Sequence, residues 1–133
     1  MPLFLIHAAL MATGFLFVLS ALIVAKTQRR KPWWLKVHRA IGLTGGSLLL
    51  LGAVAAIAAV ASTPEGEHLR SPHTWLGVLT VSTAIVTPAL GLLQFRIPRK
   101  AVTIRTVHRF FGRLLNILAP IAILLGLRVA EII

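Results

Sequence analysis

Cysteine is absent from this 133-residue chain. That excludes disulfides, thiolate metal sites and iron–sulfur clusters. Acidic residues are nearly absent as well, with 3 Asp and Glu against 14 Lys and Arg. Charged residues make up 13%, about half the usual share. Against this scarcity stand a 57% hydrophobic composition and a mean hydropathy of +0.89. A soluble domain of this size could not hide so much apolar surface, so the composition specifies an integral membrane protein.

The net charge of +11 invites a nucleic-acid reading, and its distribution argues against one. The basic residues fall almost wholly between apolar runs, which is the footprint of the positive-inside rule. Met1–Phe4 carries no basic side chain, and no small-residue cleavage site follows. The first run is therefore expected to be a permanent span rather than a removed signal.

Four runs exceed the roughly 20 residues needed to cross the hydrocarbon. They cover about 2–24, 36–61, 72–95 and 106–132. The expectation is an all-α fold, a four-helix transmembrane bundle forming one domain over 1–133. Trp33 and Trp34 flank the second run as an interfacial anchor, and Pro88 and Pro120 mark kinks in the third and fourth. The first and third connections are rich in Lys and Arg and should face the cytoplasm. The middle connection, with Glu65 and Glu67, and both termini should face outside.

His7, His38, His73 and His108 each stand at the start of a run. Consecutive spans alternate in direction, so His7 and His73 share the outer face, and His38 and His108 share the cytoplasmic one. An imidazole in a span is a functional candidate by default. Haem iron accepts one imidazole on each axial side, and parallel helices can supply one each. Two b-type haems are expected, one per face, held by His7 with His73 and by His38 with His108. The two irons should lie about 20 Å apart, each histidine being roughly one turn inside a hydrocarbon slab about 30 Å thick. His68, in a polar loop, reads as solvated.

Three histidines are followed four residues later by glycine: Gly42, Gly77 and Gly112. That position lies on the histidine's own face, one turn deeper. Glycine leaves room there for the porphyrin. The first span has Met11 instead, read as core or lipid-facing. Haem propionates need cations. Arg39, Arg109 and Arg113 cluster near the cytoplasmic pair, with Lys36 close by, and Arg70 lies beside the outer pair. Arg113 sits more than a turn inside its span, where a charge should face protein interior or an anion.

These residues resemble the cytochrome b561 family. His7 to Arg30, "HAALMATGFLFVLSALIVAKTQRR", resembles its first haem-binding helix, and "KVHRAIG", "PHTWLGVLT" and "HRFFGRLL" resemble the next three. The family motif His-Ser-Trp-x-Gly has its counterpart in His73-Thr74-Trp75-Leu76-Gly77. The resemblance implies two haem b groups on the same pairs of histidines. It implies oxidation of a cytoplasmic donor such as ascorbate and reduction of monodehydroascorbate or ferric iron on the other side. Lys26, Arg29, Arg30 and Lys36 correspond loosely to the family's basic substrate-binding residues. Eukaryotic members carry a further helix before and after this core, and this chain shows four spans, so a quinol competes with ascorbate as donor.

The expected function is a dihaem cytochrome carrying electrons across a membrane, set in a bacterial inner membrane and solvated by lipid. No catalytic residue is assigned. If the protein turns over substrate itself, it is an oxidoreductase of the ferric or monodehydroascorbate reductase type. One rival is a relay subunit that keeps the haems but docks to a redox partner protein owning the substrate site. The other is a haem-free membrane scaffold or small transporter. Open faces on such a core leave room for a homodimer.

Overall fold

A computed structural model describes residues 2–63 and 68–131. It contains α1 (Pro2–Thr27), α2 (Trp34–Ala61), α3 (Pro72–Arg96) and α4 (Ala101–Val129), with a 3-10 turn, Pro98–Lys100, leading into α4. All four helices are long and apolar enough to cross a membrane. The chain is a four-helix transmembrane bundle. Glu65 and Glu67 of the middle connection, and Ile132 at the end of the last run, lie outside the described residues.

Helical geometry extends beyond the apolar stretches at several ends. α1 continues to Thr27, where Lys26 and the carbonyl ends of the helix meet favourably. The side chain of Arg29 donates from Nε to the Ala25 carbonyl at 2.6 Å, capping the same end. α3 opens on a capping box: the Ser71 side chain accepts from the Thr74 amide, and Thr74 Oγ1 accepts from the Ser71 amide. Pro72 occupies the first helical turn, where its missing N–H costs nothing. Both α3 and α4 run unbroken through Pro88 and Pro120.

The interior is a narrow seam of small residues, repeated in register along each helix. Counting from each histidine, the seventh residue on is Gly14, Gly45, Thr80 or Leu115, and all four are buried. The eleventh is Val18, Leu49, Ala84 or Ala119, again all buried. Spacings of four and three alternate, as on the inner stripe of helices that pack nearly parallel. Large side chains point outward instead: Val102, Leu5 and Val54 are exposed, as lipid-facing residues are. Lipid is as apolar as leucine, so close packing holds such helices together, and close packing selects small residues.

Gly14 and Gly45 show why. A Cβ added at Gly45 would lie 2.9 Å from the Gly14 carbonyl oxygen and 2.8 Å from Val18 Cγ2. The backbones of α1 and α2 touch there. The bundle is thus two tight hairpins, α1 with α2 and α3 with α4, which meet along α1·α4 and α2·α3. Met11 belongs to the core together with Val18, Leu49, Ala84 and Leu115.

Candidate functional site

The two hairpins bring the four span histidines together in two couples. The ring centroids of His7 and His73 are 6.2 Å apart, with planes at 77°. Those of His38 and His108 are 6.1 Å apart, with planes at 89°. Each couple takes one ring from each hairpin. His68 is exposed and apart from both.

Every one of these rings is tied to a backbone carbonyl of its hairpin partner. His7 Nδ1 donates to Gly52 O at 2.8 Å and His38 Nδ1 to Ala21 O at 2.9 Å. His73 Nδ1 donates to Ala122 O at 2.9 Å and His108 Nδ1 to Thr87 O at 2.8 Å. A carbonyl can only accept, so Nδ1 carries a proton, and in the neutral ring Nε2 then keeps its lone pair. This is how proteins orient and polarise a metal-ligating imidazole.

The acceptors follow a rule that the histidines share. Ala21, Gly52, Thr87 and Ala122 each stand fourteen residues after the histidine of their own helix. Fourteen residues make nearly four turns, so both groups face the same way, about 21 Å apart along the axis. Each helix thus contributes an imidazole to one layer and a carbonyl to the other. One layer, expected from the sequence at the outer face, holds His7, His73, Gly52 and Ala122; the other, expected at the cytoplasmic face, holds His38, His108, Ala21 and Thr87.

The donor set fits an iron porphyrin. With a metal about 2 Å from each nitrogen and a ring centre about 1 Å beyond it, two imidazoles on opposite sides of one metal have centroids roughly 6 Å apart. Among the described residues no group of three or more His, Cys, Asp or Glu could hold a metal ion. A bare zinc site needs more protein ligands than a couple offers, whereas haem iron asks the protein for two axial ligands only.

Space is present where a ring system would lie. A cavity of about 500 Å³ opens at the His38 and His108 couple, lined also by Gly42, Gly46, Gly91 and Gly112 among others. A Cβ at Gly42 or Gly112 would meet nothing closer than 3.6 Å, and one at Gly77 would meet nothing within 4 Å. Gly77 thus faces open room, while Gly42 and Gly112 would make only ordinary van der Waals contact, with Ala21 and Thr87 of the neighbouring helices. Asn116 donates from Nδ2 to Gly112 O, while its buried Oδ1 has no partner.

The cations divide. Arg39, Arg109 and Arg113 all line the cavity at His38 and His108, and so does Lys26. Arg113 is exposed at the cavity edge rather than enclosed by protein. The Arg39 guanidinium lies 5.6 Å from the Phe95 ring centre, a cation–π contact. Arg30 and Lys36 are exposed and are not among the lining residues. Arg29, expected there with Lys26, does line it, and so does Arg105, which sequence reasoning did not assign to the site. Arg105 donates from Nε to Gln94 Oε1 at 3.2 Å. Arg70 lies at the opposite end of the bundle, just before α3.

Sequence reasoning also missed Trp34, whose ring centre is 6.1 Å from that of His38 and which lines the cavity instead of only anchoring the span. It missed the four carbonyls and two glycines, Gly91 and Gly126, whose absent side chains leave space for the rings of His108 and His73. The signal was present: small residues recur at the same 31, 35 and 35 spacing as the histidines.

Comparison with known proteins places the chain in a family. The family model described as eukaryotic cytochrome b561 matches residues 6–133. The lysosomal membrane ascorbate-dependent ferrireductase of Bos taurus is 31% identical over 133 aligned residues, 91% of this chain and 49% of that protein. The chain therefore spans about half the length of this curated relative. No solved structure gives a significant match. With the family model covering nearly all of it, the chain belongs to the cytochrome b561 family.

Proposed function

We infer that this chain carries electrons across its membrane between two b-type haems, one held by His7 and His73 and the other by His38 and His108. The observation that carries this reading is the pair of facing imidazole couples, 6.2 and 6.1 Å between centroids, in layers about 21 Å apart along the helices. Each haem supplies, when bound, a site that takes up and gives back one electron. The protein's own groups do the rest. Nδ1–H donation to a carbonyl fixes each ring and leaves Nε2 toward the iron. Gly42, Gly77 and Gly112 leave room for the macrocycle. Arg39, Arg109 and Arg113 offer charge to propionates on the cytoplasmic side.

The donor enters at the cytoplasmic mouth. Lys26, Arg29 and Arg105 line it, and a cationic rim raises the local concentration of an anion such as ascorbate. The acceptor at the other face is ferric iron or oxidised ascorbate. The Bos taurus relative, whose name gives ascorbate dependence and ferrireductase activity, supports both halves of this reading. That relative belongs to a lysosomal membrane; a bacterial inner membrane is the setting we read from the sequence, and fractionation of the source cells decides between them.

The test is direct. Purified protein should be red, show a b-type α-band when reduced, and give two haems per chain by pyridine haemochrome. Vesicles loaded with ascorbate should reduce an external ferric chelate only when they contain the protein. Colourless protein, or one haem per chain, rejects the reading.

A further inference from the structure

The two hairpins treat their histidines differently. Four residues past each acceptor carbonyl, one turn along the same helix, stand Ala25 in α1, Ala56 in α2, Gly91 in α3 and Gly126 in α4. A Cβ added at Gly126 would lie 2.9 Å from His73 Cε1, 3.2 Å from Nδ1 and 3.5 Å from Nε2. One added at Gly91 would lie 3.1 Å from His108 Cε1, 3.3 Å from Nδ1 and 3.9 Å from Nε2. In both cases the absent methyl would press on the ring edge that carries the two nitrogens.

An imidazole held at one point could swing away. These cannot do so freely. The same helical turn that offers the glycine also holds Nδ1 through the carbonyl of Ala122 or Thr87. The opposing ring of the couple stands with its centroid about 6 Å away. His73 and His108 serve different couples, so each facing pair contains one ring seated against a glycine and one ring from the hairpin that carries alanine at that register.

We propose that Gly126 and Gly91 are positioning residues, one per haem, whose missing side chains set the ring planes of His73 and His108 and so the near-perpendicular relation within each couple. This rests on the two-haem reading above. It goes beyond it by assigning the geometry of each couple to a residue that supplies no ligand of its own. The Gly126 contact is the closer, so an alanine there is felt more than one at Gly91.

The test uses the purified full chain with its haems. The readouts are low-spin ferric electron paramagnetic resonance and the midpoint potential of each haem, and His73→Ala identifies which signal belongs to which couple. Gly126→Ala should shift the signal and potential of the outer haem and leave the cytoplasmic haem as in wild type. Gly91→Ala should do the reverse, with a smaller shift. Two outcomes overturn the proposal: both variants leave both signals unmoved, or each variant moves both haems alike, as loosened packing would. If Gly126→Ala fails to fold, the double variant H73A/G126A decides. With the ring gone, it should fold and keep the cytoplasmic signal of H73A; failure of the double variant also overturns the proposal. Wild-type protein lacking two low-spin signals would sink the two-haem reading instead. The ring contact would then be read from nitrogen-15 spectra of histidine-labelled protein, where Gly126→Ala must shift the His73 resonances and an unshifted spectrum refutes it.

Discussion

His73 and His108 hold each other's helices. His73 donates to the carbonyl of Ala122, fourteen residues past His108, and His108 donates to the carbonyl of Thr87, fourteen residues past His73. His7 and His38 do the same for α1 and α2 through Gly52 and Ala21. Two hydrogen bonds at opposite ends thus fix the register of each antiparallel hairpin, and the ligands of both layers are placed by one relationship repeated twice.

Ligand removal should be selective. His108→Ala leaves His38 facing no partner ring and is expected to give one haem per chain, with the outer haem unchanged. His73→Ala should give the complementary loss. Pyridine haemochrome and the reduced spectrum count the haems. Loss of neither haem in either variant would contradict the pairing.

Two glycines should respond in opposite ways to alanine. Gly45→Ala forces a methyl against the Gly14 carbonyl and Val18, and overpacking of this kind costs about 1–3 kcal/mol. Thermal unfolding of the haem-free chain in detergent should fall accordingly. Gly77→Ala meets no protein atom within 4 Å, and alanine gains about 1 kcal/mol of helix propensity over glycine. The haem-free chain should be no less stable, while haem binding at the outer couple weakens. Equal haem affinity in Gly77→Ala and wild type would show that this glycine does not make room for the porphyrin.

A single alanine inserted between Gly14 and Phe15 should disturb both layers. It turns His7 about 100° relative to Ala21, so one helix cannot present its imidazole and its carbonyl to the same side. Haem content should drop below two per chain, most at the couple whose ring or clamp is displaced. Full retention of both haems would mean that the fourteen-residue register is not required.

The cytoplasmic mouth should show its charge in rates. Replacing Lys26 and Arg29 with glutamate is expected to slow reduction by ascorbate about tenfold at low ionic strength. The difference should shrink as salt shortens the screening length to about 3 Å near 1 M. Stopped-flow reduction at several salt concentrations measures it. Rates independent of both charge and salt would point to a neutral donor such as a quinol.

Much of this fold was legible in the sequence for simple reasons. Apolar runs of bilayer length, separated by basic connections, admit few arrangements, and alternating direction then pairs His7 with His73 and His38 with His108. The glycines divided less readably. Gly42, Gly77 and Gly112 announce themselves by following a histidine, but Gly91 and Gly126 serve a ring on a different helix. Nothing local to them shows that partner. The carbonyl acceptors are harder still, because every residue has a carbonyl and Ala21 looks like any alanine. Arg30 and Lys36 were grouped with Lys26 and Arg29 because charge is visible in a sequence, whereas the angle at which a helix end meets a cavity is not. Arg29 and Arg105 turn to the cavity instead.

The register of ring and carbonyl also has a kinetic meaning. On the two-haem reading, the interval between the redox centres is a count of peptide units on a rigid helix, not a product of side-chain choice. Sequence drift at lipid-facing positions can tune how strongly each centre holds its electron, yet it cannot lengthen the hop. A membrane cytochrome built this way keeps its wire at constant length while its driving force remains free to evolve.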